Sequence, residues 1–193
     1  FLNLAQLRTV ILNYLVLEPY IFSYIGHSRE NNSYCIPYYK NTGGLRNLAK
    51  LFKREVTEAS VQDAVLRAVK YEAMNIRSIS EKGSIEFRHY YGTHDVPTLY
   101  SWIKVILSLF HLVKQSSEEN FYSIYPNVSY REFLHDVFQI LPMKEGIDLI
   151  QCEALAKRSI LKLNIHALQI KDIKSVITSR NLKSLRTSPG DIF

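Results

Sequence analysis

Between Asn3 and Leu17 the apolar residues fall at Leu4, Leu7, Val10, Ile11, Tyr14 and Leu15, the spacing of one buried helical stripe. Asn3 supplies an N-cap, so a helix is predicted to about Leu17, and Pro19 need not stop it. The polar run from His27 to Tyr34 predicts a loop, and Asn41-Thr42-Gly43-Gly44 a second break. Leu45 to Arg54 then reads as a short basic amphipathic helix, and Ser60 to Val69 as another.

At Lys70 the period changes from helical spacing to alternation, which predicts a strand to Ile79. Glu81-Lys82-Gly83 reads as a hairpin turn, and Ser84 to Tyr91 alternates again as the partner strand. With Glu81 and Lys82 as the loop, Arg77 is expected opposite Glu86 and Asn75 opposite Arg88. Asp95 caps a following helix with Pro97 in its first turn; Leu99, Trp102, Ile103, Ile106, Leu109, Phe110 and Val113 are its expected apolar face. Ser116 to Val128 reads as a loop, and Ser129 with Glu132 forms a capping box for a helix to about Leu141, ended by Pro142. A helix from Lys144 to about Ser159 leads into the C-terminal segment, with short helices expected near Ile165 and Ile173.

Composition narrows the class. The chain has 193 residues with 47% hydrophobic and 22% charged content, which excludes a disordered or low-complexity protein. Only 7 glycines and 6 prolines argue against a large β-sandwich and for helices. Cys35 and Cys152 lie far apart and outside any metal-ligand spacing, so reduced thiols and an intracellular, cytoplasmic setting are expected. The most apolar stretches, Tyr14 to Ile25 and Trp102 to Val113, are interrupted by Glu18 with Pro19 and by Lys104 with His111, too short and too polar to span a bilayer. The chain opens at Phe1 with no charged segment and short apolar run after it, so no secretion leader is expected.

The net charge of +6 is not spread evenly. Residues 1 to 156 carry equal numbers of basic and acidic residues, while 157 to 193 carry 8 against 2. Lys157, Arg158, Lys162, Lys171, Lys174, Arg180, Lys183 and Arg186 make a basic tail. Such a tail either binds nucleic acid or an acidic protein surface, or is a solvated, weakly helical terminus.

Period two places Glu86 and Arg88 on one face of the second strand with Tyr90, and Ile85 and Phe87 on the other. An acid, guanidinium groups and an amide then share one face. That face is either solvated, with cross-strand ion pairs worth little, or chemical. In the second case a carboxylate binds a hard cation while an arginine holds a phosphate bidentately, as nucleotide-dependent phosphoryl transfer requires. Periodicity does not choose between them. His89 and His94 flank Gly92-Thr93, but no further cysteine or histidine completes a zinc set.

Lys70-Tyr71 through Asn75, then Gly83-Ser84-Ile85-Glu86-Phe87-Arg88-His89, Gly92-Thr93 and Trp102, resemble the C-terminal signature of the amidoligase family of carboxylate–amine ligases, which have a glutamine synthetase-like fold. Glu18 in Leu-Glu-Pro, Ser28-Arg29, Asn31 or Asn32, and Tyr34-Cys35 resemble the segment before that signature. The resemblance covers roughly residues 5 to 115. It implies an α+β fold, an antiparallel hairpin packed by several helices, as part of a glutamine synthetase-like domain with a helical basic C-terminal extension. Residues 1–115 would be the C-terminal half of the amidoligase domain, 116–156 a helical extension and 157–193 the basic tail.

By the same resemblance, Glu86 would ligate magnesium at the γ-phosphate of ATP and Arg88 would stabilise the phosphate passing to a substrate carboxylate. An amine would then attack the acyl phosphate to give an amide or peptide bond. Arg29, Asn75 and Arg77 would contact nucleotide or substrate. The family's N-terminal half supplies further metal-binding carboxylates and a histidine-containing strand, which residues 1 to 193 do not contain. The expected function is therefore an ATP- and magnesium-dependent ligase of small-molecule or peptide carboxylates and amines that needs the rest of its site supplied. The alternative is a non-catalytic module of the same descent, held in a larger assembly through its basic tail.

Overall fold

The computed structural model describes residues 2–115, 121–122, 125–137 and 145–168. It is mostly helical with one small antiparallel sheet. At its centre is α1 (Leu4–Ile25), in which every residue from Thr9 to Phe22 is buried. Asn3 and Gln6 cap it reciprocally: Asn3 Oδ1 accepts the Gln6 N–H at 2.9 Å and Gln6 Oε1 accepts the Asn3 N–H at 3.0 Å. The helix continues to Ile25 instead of ending near Leu17, because Tyr20, Ile21 and Phe22 extend an apolar surface that is covered on all sides. Gly26, at φ 98°, then turns the chain out of the helix.

Two short 3-10 turns follow, His27–Asn31 and Tyr38–Lys40, the first lying in the expected loop. Next come α2 (Thr42–Ala49), capped by Asn41, and α3 (Glu58–Leu66), capped by Thr57. The strands are shorter than alternation suggested: β1 is Met74–Asn75 and β2 is Glu86–Phe87. Between them lies α4 (Ser78–Lys82), where the end of the first strand and the hairpin turn were expected.

The cause is local. Asn75 Oδ1 accepts the Arg77 N–H at 3.0 Å, a side-chain turn that breaks the extended backbone and starts α4. Gly83, at φ 68°, is the C-cap of α4 and not the tip of a hairpin turn. The register therefore differs by two residues from the expectation. Met74 pairs with Phe87 and Asn75 with Glu86, so Arg77 is not opposite Glu86 and Asn75 is not opposite Arg88. A shift of two keeps each side chain on its face, so the division into apolar and charged faces survives.

The expected cap of α5 (Val96–Gln115) is in place, with the Thr98 N–H on Asp95 Oδ2 at 2.9 Å. Its buried side differs from the expectation. Val105, Ser108 and Leu109 are buried and Trp102, Ile106 and Phe110 pack at the margin, while Leu99 and Ile103 are exposed. Apolar residues nearly encircle this helix, so spacing alone does not phase it.

Ser129 and Glu132 form the expected capping box at α6 (Tyr130–Glu132), which widens into a π turn at Phe133–Val137. The expected continuation to Leu141 and Pro142, most of the loop from Ser116, the helix near Ile173 and the tail from residue 169 lie outside the described residues. The last element, α7 (Leu149–Leu168), takes in the helix expected near Ile165. Cys152, Ala156, Ile160 and Leu163 bury its inner face in the core built on α1 and α2. Both cysteines are free thiols, and among the described residues no helix is long and apolar enough to cross a membrane.

Candidate functional site

Glu86 in β2 is the focus of the charged face. Its Oε2 accepts three hydrogen bonds, from Asn75 Nδ2 at 2.9 Å, Ser78 Oγ at 3.2 Å and Arg88 Nη2 at 2.8 Å. No hydrogen bond from the described residues reaches Oε1. Burial opposes the charge on Glu86, but the bonds from Asn75, Arg88 and Ser78 and the charge of Arg88 outweigh it and hold the carboxyl below its usual range. The pair is open to solvent, with side-chain exposures of 37% for Glu86 and 19% for Arg88.

Arg88 is anchored on several sides. Its N–H donates to the Ala73 carbonyl at 2.8 Å, and its guanidinium lies 5.7 Å from the centre of the Tyr71 ring. Its Nε is buried without a hydrogen-bond acceptor. A buried donor of this kind on a charged side chain is a place where an anionic oxygen would be accepted.

The other candidate residues separate from this pair. Asn75 is buried and fully used, holding Glu86 and Ser78 through Nδ2 and the turn into α4 through Oδ1, so it positions Glu86. Arg29 donates from Nε to the His89 carbonyl at 3.1 Å and from Nη2 to the Arg88 carbonyl at 2.8 Å. It clamps the backbone after β2 from behind. Arg77 turns away to Glu81, 3.1 Å distant on the exposed side of α4.

Behind the face lies a polar network that spacing did not reveal. Glu18 is fully buried and accepts the Tyr14 hydroxyl at 2.6 Å and the N–H groups of Tyr38 at 3.0 Å and Tyr39 at 3.2 Å. The Tyr14 hydroxyl also meets His89 Nε2 at 2.8 Å, joining the imidazole to the same network. Tyr38 donates to Glu72 at 2.7 Å, and Asn41 Nδ2 donates to the same carboxyl at 3.2 Å.

Burial pushes the Glu18 carboxyl up to about 8 and that of Glu72 up to about 7, against the hydrogen bonds that pull them down. Burial, aided by the charge of Arg29, lowers His89 to about 3, so it is neutral. His89 is packed among the rings of Tyr14, Phe22, Phe87 and Trp102. The one available sequence signal for this network was an acid, Glu18, inside an otherwise apolar helical run.

As a metal centre the face is sparse. Glu86 is its one carboxylate, already neutralised by Arg88, and among the described residues no three histidine, cysteine, aspartate or glutamate side chains gather. A magnesium ion takes near-octahedral oxygen ligands, so Glu86 does not make its site alone. Compared with protein-family models, with curated proteins and with solved structures, the chain matches none.

Proposed function

We propose that the β1–α4–β2 face is the phosphate side of an ATP-dependent carboxylate–amine ligase site. In this reading ATP phosphorylates a substrate carboxylate, and an amine displaces the phosphate from the acyl phosphate to leave an amide. Arg88 is the group that meets the phosphate oxygens. Glu86 holds the guanidinium in place, and Asn75 and Ser78 hold Glu86. The contribution is charge neutralisation and orientation, both of which depend on groups fixed before the substrate arrives. No reaction step is assigned to magnesium, for which the face offers one carboxylate.

One observation supports the reading most. Arg88 carries a buried donor without an acceptor, next to a carboxylate locked by three hydrogen bonds, on a face open to solvent. An anion at that donor would complete its hydrogen bonding. The resemblance of the Glu86 to Thr93 run to the amidoligase signature points to the same chemistry.

The test traps the intermediate. The full chain is incubated with ATP, magnesium, a panel of amino-acid carboxylates and hydroxylamine, which converts an acyl phosphate to a coloured hydroxamate. Hydroxamate should form with the unaltered chain, or with the chain joined to whatever supplies the rest of its site, and fall at least about 100-fold in Arg88→Ala. Equal yield from Arg88→Ala would remove the assigned role.

A second reading, a non-catalytic module binding nucleic acid or an acidic protein, is favoured by Arg158 and Lys162, basic residues on α7 with no carboxylate partner among the described residues. It predicts binding that weakens steeply with salt and does not respond to Arg88→Ala.

A further inference from the structure

A second place on the molecule has the form of a binding site and is separate from the Glu86–Arg88 face. A cavity of about 320 Å³ opens between α1, α7 and the two 3-10 turns. Its volume is at the small end of ligand pockets. Pro19 and Leu155 supply apolar wall, and Ser23 Oγ and Cys152 Sγ meet across it at 3.5 Å.

The charges at its rim are not balanced. Lys40 is already neutralised by Glu30, whose Oε2 accepts its ammonium at 2.8 Å. Arg158 is exposed at the same rim, and among the described residues no carboxylate reaches it. One turn further along α7, just beyond the residues that line the cavity, lies Lys162, whose ammonium donates to a neutral acceptor, Thr42 Oγ1, at 3.2 Å. Burial lowers Lys162 and the charge of Arg158 lowers it further, so the two cations repel each other. His166, a turn beyond, is likewise lowered by burial, then by Arg46 of α2 and by Lys162.

We propose that this cavity binds a small phosphate monoester, with the phosphate held by Arg158 and Lys162 and the short organic part lying against Pro19 and Leu155. Two uncompensated cations a helical turn apart suit a dianion better than a carboxylate. The guanidinium offers a planar fork of donors and the ammonium a point charge. The volume suits a small organic body.

Titration calorimetry on the full chain tests this with three probes: glycerol 3-phosphate, inorganic phosphate and glycerate. Glycerol 3-phosphate should bind saturably and more tightly than either of the others. Arg158→Gln, an exposed position whose change leaves the core untouched, should weaken it at least about tenfold. Leu155→Trp, which fills the cavity, should erase its advantage over inorganic phosphate, with the fold checked by circular dichroism. Arg88→Ala should leave binding unchanged, so failure here and failure of the ligase reading are separable.

Absence of saturable binding by glycerol 3-phosphate overturns the proposal, as does a loss caused by Arg88→Ala in place of Arg158→Gln. Glycerate binding as tightly as the phosphate ester overturns the choice of a dianion.

Discussion

Glu18 and Glu72 are carboxyl groups whose ionisation burial opposes, and this fixes how stability responds to pH. Their folded values, about 8 and about 7, stand above those of exposed carboxyls. The folded state therefore binds more protons than the unfolded chain, and stability present below about pH 4.5 is lost as pH rises through 7 to 8. His89 acts in the opposite sense. Its folded value of about 3 lies below the ordinary 6.5, so its contribution is complete above pH 6.5 and is lost as pH falls toward 3.

Between pH 6.5 and 8 the carboxyls act alone, and the thermal midpoint should fall steadily over that range. Glu18→Gln should flatten the fall by removing up to about 1 kcal/mol per pH unit; an unchanged slope would show that Glu18 is ionised in the fold. The placement of individual side chains was legible where it depended on alternation along one strand, as for Glu86 and Arg88 on one face. It was not legible for Ser78, which reaches Glu86 because of the Asn75 turn, nor for Glu18, whose donors include backbone N–H groups twenty residues on.

Caps and faces decide the helices. Asn41 does two jobs, accepting the Gly44 N–H at 2.9 Å as the cap of α2 and donating to buried Glu72. Asn3 caps α1 at an exposed end. Asn3→Ala should cost about 1 kcal/mol and Asn41→Ala about 2 or more, since the second also takes a donor from a buried carboxyl. Equal losses in denaturant unfolding would mean that the Asn41–Glu72 bond contributes nothing.

On α5, Val105→Ala should cost about 2 kcal/mol and Ile103→Ala less than about 0.5, because the first is core and the second faces solvent. Sequence spacing favoured Ile103, and the reverse order of losses would restore that phase. The caps at Asn3, Asp95 and Ser129 could be read from the chain because each uses partners within one turn. The hairpin register could not, because one asparagine side chain ends the extended backbone after Asn75 and turns the end of the expected first strand and the expected hairpin turn into α4.

Taken whole, the described chain has its main core around α1, to which elements from both ends of the sequence contribute. Tyr130 donates to the Val16 carbonyl at 2.8 Å, and Ile160 and Leu163 of α7 belong to the core that contains Val10 to Leu17. A chain cut after residue 148 should therefore lose cooperative thermal unfolding, whereas a sharp transition near the original midpoint would show that α7 is an accessory. The charge excess toward the C-terminus was legible from composition. Its placement was not, since Arg158 and Lys162 take their positions from α7 packing on α1 and α2.

The charged β1–α4–β2 face, carried on this core, is the one we propose meets the phosphates of ATP. The most direct measurement is ATP titrated onto the full chain, with Arg88→Ala and Arg158→Gln alongside. Saturable binding that weakens about tenfold or more in Arg88→Ala and holds in Arg158→Gln is the predicted result. No saturable binding, or equal affinity in Arg88→Ala, would contradict it.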